Sequence, residues 1–203
     1  MKDLKYLAAF TIPASALIGI YFEGYWSFFT PAYAFLLIPV LEVIMPEDAS
    51  NSDGKEREEK QTNRLFDWML YLNAPMVFGM LAYFLWDISS HYHSTTELIG
   101  LAVSLGIVLG TNGINVAHEL GHRKTAVERA LSKLLLLPSL YMHFYIEHNF
   151  GHHLNAATTE DPATAKYNQT VYSFWITSVI RQYQCLELTI KAVAQREYSL
   201  LVG

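Results

Sequence analysis

The sequence predicts an all-α membrane protein with about four transmembrane helices, a re-entrant or interfacial helix and an amphipathic helix on the cytoplasmic side. Hydrophobic residues make up 52% of the 203 residues and charged residues only 16%, a balance that is unusual for a soluble domain. The apolar residues are grouped in long runs with one charge or none, which is the pattern of membrane-spanning helices. We therefore expect residues 1–203 to form a single membrane-embedded domain.

Two apolar runs open the chain, at residues 6–22 and 25–41. Each is slightly shorter than the about 20 residues that cross a hydrocarbon core of about 30 Å. Gly24 stands between them and Pro46 follows the second, so we expect a tight helical hairpin that turns at Gly24. A cleavable secretory signal is the alternative, but the apolar sequence continues well past the small residues at 14–16.

Two further runs, at residues 65–86 and 98–117, complete the four predicted spans. The first carries a single charge, Asp67, and the second carries none. Residues 47–64 are polar and lack an apolar period, so we expect a solvated connector there. The last predicted element is an amphipathic interfacial helix from Val171 onward.

Positive charge sets the orientation of these helices. All 14 Lys and Arg residues lie at the N-terminus, in the connector or after the fourth run, whereas the loops around Glu23 and at 87–97 contain none. By the positive-inside rule, the N-terminus, the connector and everything after His118 face the cytoplasm. The net charge of −5 argues against a nucleic-acid partner, and the single Cys185 excludes an intramolecular disulfide.

Five of the eight histidines fall in two short clusters, HELGH and EHNFGHH. The clustered histidines are His118, His122, His148, His152 and His153. The first two are four residues apart, which places both on one face of a helix, and Gly151 permits a tight backbone among the other three. Because imidazole binds iron, copper and zinc, the pattern predicts a metal site that is dinuclear in outline.

Both clusters must lie on one side of the membrane to share a site, because a crossing helix would separate them by about 30 Å. The apolar segment between them, residues 134–146, has the length of a re-entrant or interfacial segment. We therefore expect it not to cross, and we expect His143 within it to be structural. His91 and His93 lie in the opposite loop and are assigned no role in the site.

Polar residues near the clusters are candidates for supporting the ligands. Asn115 precedes His118 at helical spacing and is expected to support the site or to border a substrate pocket. Asp161, which precedes a proline, has two interpretations: a helix N-cap, or a carboxylate that accepts a hydrogen bond from a ligand histidine. The second interpretation applies equally to Glu147 and Glu160.

The two clusters and their flanking residues resemble the first and second histidine boxes of the integral-membrane alkane 1-monooxygenases, relatives of the membrane fatty acid desaturases. The resemblance rests on HELGHRK and IEHNFGHHLNAATTEDPATA, and it extends over the four predicted spans before them. The histidine spacing is shared by the whole desaturase superfamily. The EDPAT sequence and the flanking glycine are typical of the alkane hydroxylase branch.

The resemblance implies a non-haem diiron centre, with the five clustered histidines as ligands of two iron ions. Such a centre uses O2 to hydroxylate the terminal methyl group of medium-chain n-alkanes to primary alcohols. The resemblance also implies a rubredoxin-type electron donor with its reductase, a location in the bacterial inner membrane, and a metal site on the cytoplasmic side. Glu119, within the first cluster, is a further candidate for supporting the ligands.

The family also has a third histidine box, of the type HxxHH, and this sequence has no histidine after His153. Five ligands would hold one ion, or two poorly. We therefore interpret the chain as the N-terminal part of such an enzyme and expect the 203-residue polypeptide alone to be inactive.

Three alternatives remain open. A fatty acyl desaturase or an aromatic side-chain hydroxylase would carry the same histidine spacing. HELGH also matches the HExxH signature of zinc proteases, with Glu119 as general base, but that signature leaves the second cluster unexplained. A non-enzymatic alternative is a truncated membrane protein that binds stray metal.

Overall fold

The computed structural model describes residues 2–45 and 63–202, and every regular element in these two ranges is a helix. A 3₁₀ segment, Lys2–Phe10, leads into α1. The seven helices of the described ranges are α1 at Thr11–Phe22, α2 at Gly24–Ile44, α3 at Arg64–Ser90, α4 at Thr95–Gly121, α5 at Ala126–Leu136, α6 in short helical pieces over 143–155, and α7 at Val171–Val202. The predicted all-α class is confirmed, while most of the polar connector and Pro46 lie outside the described residues.

Three helices, α2, α3 and α4, are long and apolar enough to cross a membrane. The count of four spans is not confirmed, because the first apolar helix, Tyr6–Phe22, is too short to qualify. At 1.5 Å per residue it covers about 25 Å, against a hydrocarbon core of about 30 Å. Apolar side chains of α2 face outward, with Phe35 73% and Val43 87% exposed, as expected where lipid is the surrounding solvent.

The hairpin between α1 and α2 turns at Glu23 and Gly24, each with a φ of 54°. A glycine adopts this backbone without strain. The Gly24 N–H donates to Glu97 Oε1 at 2.6 Å. The other Glu97 oxygen accepts the Ser94 N–H at 2.8 Å as part of a capping box at the start of α4. The α1–α2 turn is therefore held against the α3–α4 turn.

The main buried core lies between α3, α4 and α5. Its buried members are Ala74, Val77, Ala117, Leu120, Leu135 and Leu136. Hydrogen bonds join the helices around it: the Ser104 hydroxyl donates to the Ser27 carbonyl at 2.7 Å, and the Asn112 amide donates to Asn73 Oδ1 at 2.9 Å. Such bonds satisfy polar groups that lipid would leave unpaired. This packing fixes the end of α4, where the first histidine cluster stands.

The segment between the histidine clusters runs back along α4. The Ser132 hydroxyl of α5 donates to the Ala117 carbonyl at 2.6 Å. The apolar stretch 134–146, predicted as one re-entrant or interfacial segment, is divided: α5 ends at Leu136, and a turn with Leu140 at a φ of 53° precedes α6. The first part of this stretch is apolar because Leu135 and Leu136 are buried under α4.

The interpretation of Asp161 as a helix N-cap is wrong, because the next described helix, α7, begins at Val171. The inward face of α7 is polar at Ser178 and Gln182, which are 8% and 6% exposed. Gln182 accepts a hydrogen bond from the hydroxyl of Tyr141, a residue that precedes α6. Trp175 and other apolar residues of α7 face outward, so the predicted amphipathic character is present with its apolar side away from the bundle.

Candidate metal centre

The first histidine cluster stands on the last turns of α4. A π-helical turn, Leu109–Ile114, widens this helix just before the cluster, and regular α-helix resumes at Asn115–Gly121. Wide turns of this kind are frequent at functional sites. His118 lies within this segment and His122 directly after it. Their Nε2 atoms lie 3.1 Å apart, as their spacing of four residues predicts.

The second histidine cluster lies on another π-helical turn, Glu147–His152, within α6. In a π turn the backbone hydrogen bond joins residues five apart, so side chains at that spacing come to lie on one face. His148 and His153 have this spacing, and their Nε2 atoms lie 3.1 Å apart. The widened backbone therefore brings together two histidines that a regular α-helix would turn away from each other.

Four of the five predicted ligand histidines converge on one place. His122 Nε2 lies 3.1 Å from Nε2 of His118 and 3.1 Å from Nε2 of His148. His148 Nε2 lies at the same distance from Nε2 of His153. The structure thus joins the two clusters across 26 residues of sequence, at His122 and His148.

Hydrogen bonding alone does not explain this arrangement. A neutral imidazole nitrogen carries either one hydrogen or one lone pair, yet Nε2 of His122 and Nε2 of His148 each face two other Nε2 atoms. Nitrogen ligands about 2.0–2.1 Å from a tetrahedral ion lie about 3.3 Å from one another, close to the observed 3.1 Å. The donor set therefore fits a bound metal ion, and imidazole nitrogen suits iron.

The protonation state of His148 agrees with metal binding. Burial, reinforced by the neighbouring imidazoles of His118 and His153, lowers the pKa of His148 to about 4. Phe144 stacks on the His148 ring, with centroids 4.9 Å apart, and covers one of its faces. His148 is therefore neutral at pH 7, and the neutral imidazole is the form that binds a metal.

His152, the fifth clustered histidine, is held by a carboxylate. Its ring stacks on His148 with centroids 5.4 Å apart, and its Nδ1 lies 2.9 Å from Asp161 Oδ2. Burial raises the pKa of Asp161, but hydrogen bonds from Thr164, the Ala163 N–H and His152 outweigh this effect, so the pKa is lowered overall. An ionised carboxylate at Nδ1 fixes the imidazole tautomer and leaves Nε2 to bind a metal.

Glu147 lies directly beneath the second cluster. It is 4% exposed, and its Oε1 has no hydrogen-bond partner among the described residues. Gly151 covers it so closely that a β-carbon on Gly151 would lie 2.8 Å from the Glu147 carboxyl carbon. A buried carboxylate without a partner is unfavourable, and a cation at the adjacent histidines would offset its charge.

The other supporting candidates lie at the edge of the cluster. Glu119 and Arg123 form an ion pair at 3.1 Å and, with Asn115, line a cavity of about 480 Å³ between the N-terminal segment, α3 and α4. The apolar walls of this cavity include Tyr6, Phe10, Ile12, Phe66, Met69, Leu70 and Val116. Glu160 is exposed beside Asp161, and no described contact joins it to the histidines.

Several residues that shape the site were not predicted from the sequence. Phe144 covers His148, and a buried Glu128 accepts a hydrogen bond from the Tyr71 hydroxyl at 3.0 Å. Asn73 and Asn112 form a buried amide pair beside the cavity. The sequence could have indicated the two asparagines, because each interrupts an apolar run where a polar side chain is costly. It could not have indicated Phe144, since aromatic residues are common throughout this sequence.

Comparison with known proteins relates these features to characterised chains. Residues 94–200, which contain both histidine clusters, match the family described as fatty acid desaturase. The chain is 36% identical over 167 residues to an alkane 1-monooxygenase from Pseudomonas putida and 35% identical over 167 residues to alkane 1-monooxygenase 1 from Alcanivorax borkumensis. Each of these matches covers 80% of this chain and 41% of the relative.

A third relative acts on aromatic compounds according to its name. It is a xylene/toluene monooxygenase hydroxylase component from Pseudomonas putida, 30% identical over 189 residues, which are 89% of this chain and 47% of that protein. The chain therefore spans between two fifths and half of the length of these three relatives.

Proposed function

Because the chain belongs to the fatty acid desaturase family, we propose that it acts as a non-haem diiron monooxygenase that hydroxylates the terminal methyl group of medium-chain n-alkanes with O2. The observation that carries the proposal is the convergence of His118, His122, His148 and His153 at 3.1 Å contacts. Similarity to two alkane 1-monooxygenases supports the substrate class.

We assign the iron ligands of this chain to the five clustered histidines, namely His118, His122, His148, His152 and His153. Bound iron would supply the redox chemistry that places one oxygen atom of O2 in the alcohol and releases the other as water, with electrons and protons from a donor. The chain holds the imidazole of His148 in the neutral state. Asp161 fixes the tautomer of His152, to which it is hydrogen-bonded at 2.9 Å.

The 480 Å³ cavity is the proposed binding place of the hydrocarbon chain. Its volume falls in the usual range of ligand pockets, and each CH2 group buried in it would contribute about 0.8 kcal/mol. Its polar lining includes Asn115 and Glu119, and Glu119 is the sequence neighbour of His118. We propose that Asn115 borders the reacting end of the substrate.

Electrons would come from a rubredoxin-type donor and its reductase. The proposed location is the bacterial inner membrane, with the histidine cluster at its cytoplasmic side, since Lys and Arg are concentrated at the N-terminus, in the 47–64 connector and after His118. A soluble donor would then reach the metal site without crossing the bilayer.

The deciding measurement is the metal content of the protein purified from iron-replete cells. We expect the protein to contain iron, and we expect this iron to be lost in His122→Ala and His148→Ala, which remove the two imidazoles at the centre of the cluster. The variant His143→Gln serves as a control, because His143 packs on Tyr183 with ring centroids 4.0 Å apart, away from the cluster. Zinc in place of iron, together with peptide cleavage, would overturn the proposal in favour of the HExxH protease.

Aromatic side-chain hydroxylation is the second candidate, because the chain is also similar to a xylene/toluene monooxygenase hydroxylase component. Membranes that contain this sequence within a longer chain that also has a third histidine box, supplied with rubredoxin, its reductase and O2, would be incubated with octane, with xylene and with an acyl substrate. Formation of 1-octanol supports the proposal. Methylbenzyl alcohol as the main product would support the second candidate, and an unsaturated acyl chain would support a desaturase.

A further inference from the structure

A second group of metal-binding side chains lies in the turn between α3 and α4. Asp87 belongs to the last turn of α3, and His91 and His93 follow it in the connecting residues. His91 Nδ1 lies 3.0 Å from Asp87 Oδ1, and His93 Nε2 lies 3.1 Å from Asp87 Oδ2. One ligand atom from each of the three residues falls within 4.8 Å of the others.

Two of these three side chains are almost completely buried. The side chains of Asp87 and His93 are 4% and 2% exposed, whereas that of His91 is 46% exposed. Despite their 3.1 Å separation, Asp87 Oδ2 and His93 Nε2 are not aligned for a hydrogen bond, and neither atom has another hydrogen-bond partner in the described part of the chain. Two buried polar atoms therefore face one place without satisfying each other.

The charge of Asp87 also requires an explanation. A carboxylate in the last turn of a helix lies at the negative end of the helix dipole, where negative charge is unfavourable. The sequence has no Lys or Arg between Arg64 and Arg123, and the ion pairs of Asp87 within the described residues are with His91 and His93 alone. A buried charge needs a partner, and a divalent cation shared with the two imidazoles would provide it.

We propose that Asp87, His91 and His93 bind a Zn²⁺ ion. Two imidazoles and one carboxylate are a common zinc ligand set, with water at the fourth position. Each imidazole nitrogen lies 3.0–3.1 Å from a different oxygen of the Asp87 carboxylate, so both oxygens face the place where the ion would bind. The exposed edge of His91 leaves a route for the ion to enter.

This zinc site is separate from the histidine cluster of the candidate metal centre. Ser94 and His118 stand at opposite ends of α4, and 24 residues at 1.5 Å each place them about 36 Å apart along the helix axis. The site would close the α3–α4 turn, against which Glu97 already holds the α1–α2 turn through the Gly24 N–H. A bound ion would therefore stabilise the ends of four helices.

The test uses the full chain in lipid nanodiscs, stripped of metal with a chelator and equilibrated with Zn²⁺. Bound zinc and the melting temperature are measured for wild type, His91→Ala, Asp87→Asn and the control Tyr92→Ala, whose residue is 95% exposed in the same turn. We expect wild type and Tyr92→Ala to bind one more zinc equivalent than His91→Ala and Asp87→Asn. We also expect Zn²⁺ to raise the melting temperature of wild type and Tyr92→Ala by more than that of His91→Ala and Asp87→Asn.

His91→Ala keeps the test decisive if Asp87→Asn does not fold, because His91 is partly exposed and its loss leaves the buried pair in place. A further variant, His148→Ala, should retain the turn site, so failure of the iron proposal and failure of the zinc proposal are distinguishable. Equal zinc binding and equal zinc-dependent stabilisation in wild type and His91→Ala would overturn the proposal. The hydrogen bond between His91 and Asp87 and the ion pair between His93 and Asp87 would then hold the turn without a metal.

Discussion

Asp161 connects the loop after α6 to the histidine cluster. Its Oδ2 lies 2.9 Å from His152 Nδ1, and its Oδ1 accepts the Ala163 N–H at 2.8 Å, so both oxygens are committed. The residue is fully buried. These contacts agree with the interpretation of Asp161 as a partner of a ligand histidine, which the sequence left open beside the N-cap.

The substitution Asp161→Asn should weaken metal binding. An amide presents a donor or a neutral acceptor to His152 in place of a carboxylate, and loss of such an outer partner typically lowers metal affinity 10–100-fold. Iron affinity is measured by competition with a chelator. The adjacent Glu160→Gln is the matched control. Because Glu160 is exposed, this substitution should leave the iron affinity unchanged. Equal affinity of Asp161→Asn and wild type would contradict the assignment.

Gly151 leaves room for the Glu147 carboxyl group. A β-carbon there would lie 2.8 Å from the carboxyl carbon, so Gly151→Ala should displace Glu147 and the histidines on the same turn. We expect iron affinity to fall about 10-fold or more, again measured by chelator competition. Gly106→Ala is the control, because nothing lies within 4 Å of its added β-carbon. If both variants bind iron like wild type, the close packing of Gly151 is irrelevant to the site.

At the scale of the helix, α5 depends on one carboxylate at its start. Glu128 accepts hydrogen bonds from the Thr125 hydroxyl at 2.6 Å and from the Tyr71 hydroxyl of α3 at 3.0 Å. The Thr125 bond makes the largest contribution to lowering the pKa of Glu128 below its ordinary value of 4.5. Thr125 is the N-cap of α5 and accepts the Glu128 N–H at 3.2 Å. The Glu128 carboxylate therefore holds the N-cap hydroxyl and links α5 to α3.

The substitution Glu128→Gln should lower the free energy of unfolding by about 1–3 kcal/mol at pH 7, since hydrogen bonds to a charged group are lost. Because the folded pKa lies below the unfolded one, the stabilising effect of Glu128 is present above about pH 4.5 and disappears as the pH falls through the folded pKa. The difference in the free energy of unfolding between Glu128→Gln and wild type should therefore decrease as the pH is lowered. Denaturant unfolding from pH 7 to about pH 3 measures it, and a gap that widens in acid would contradict this sign.

Two of the three π-helical turns in the described ranges lie at the histidine clusters, and the third is Tyr33–Leu37 in α2. Leu109–Ile114 precedes the first cluster and Glu147–His152 contains most of the second. The second turn allows His148 and His153 to approach within 3.1 Å at a spacing of five residues. Their occurrence at both clusters is in line with the frequent association of π turns with function.

At the scale of the whole molecule, the two turn regions at the ends of α4 should lie on opposite sides of the membrane. The described structure offers three well-exposed probes: Tyr25 and Tyr92 near the start of α4, 90% and 95% exposed, and Tyr167 after the histidine clusters, 96% exposed. We expect an impermeant thiol reagent added to intact spheroplasts to label Tyr25→Cys and Tyr92→Cys in a Cys185→Ser background.

Under the same conditions Tyr167→Cys should be labelled only after the membrane is permeabilised. The physical reason is that α4, with 27 residues, is about 40 Å long and crosses the hydrocarbon core completely. Labelling of Tyr92→Cys and Tyr167→Cys from the same side would contradict the topology. Labelling of Tyr25→Cys from the side opposite to Tyr92→Cys would contradict the contact between Gly24 and Glu97.

Most of the fold could be predicted because its signals are local. The length of an apolar run decides whether a helix can span a bilayer, and the spacing of four between His118 and His122 already places them together on a helix. The borderline case was the first run, Tyr6–Phe22, which is too short to count as a span by itself. Hydropathy alone did not separate a short span from a helix packed against longer ones.

The sequence by itself determined the helical class, the apolar spans and the two histidine clusters, since each depends on residues within a few turns of one another. The tertiary structure alone decided that His122 meets His148, that Asp161 bonds His152, and that Asp87 lies between His91 and His93. These contacts depend on how π turns, reverse turns and helix packing orient side chains, and no hydrophobic period encodes those orientations.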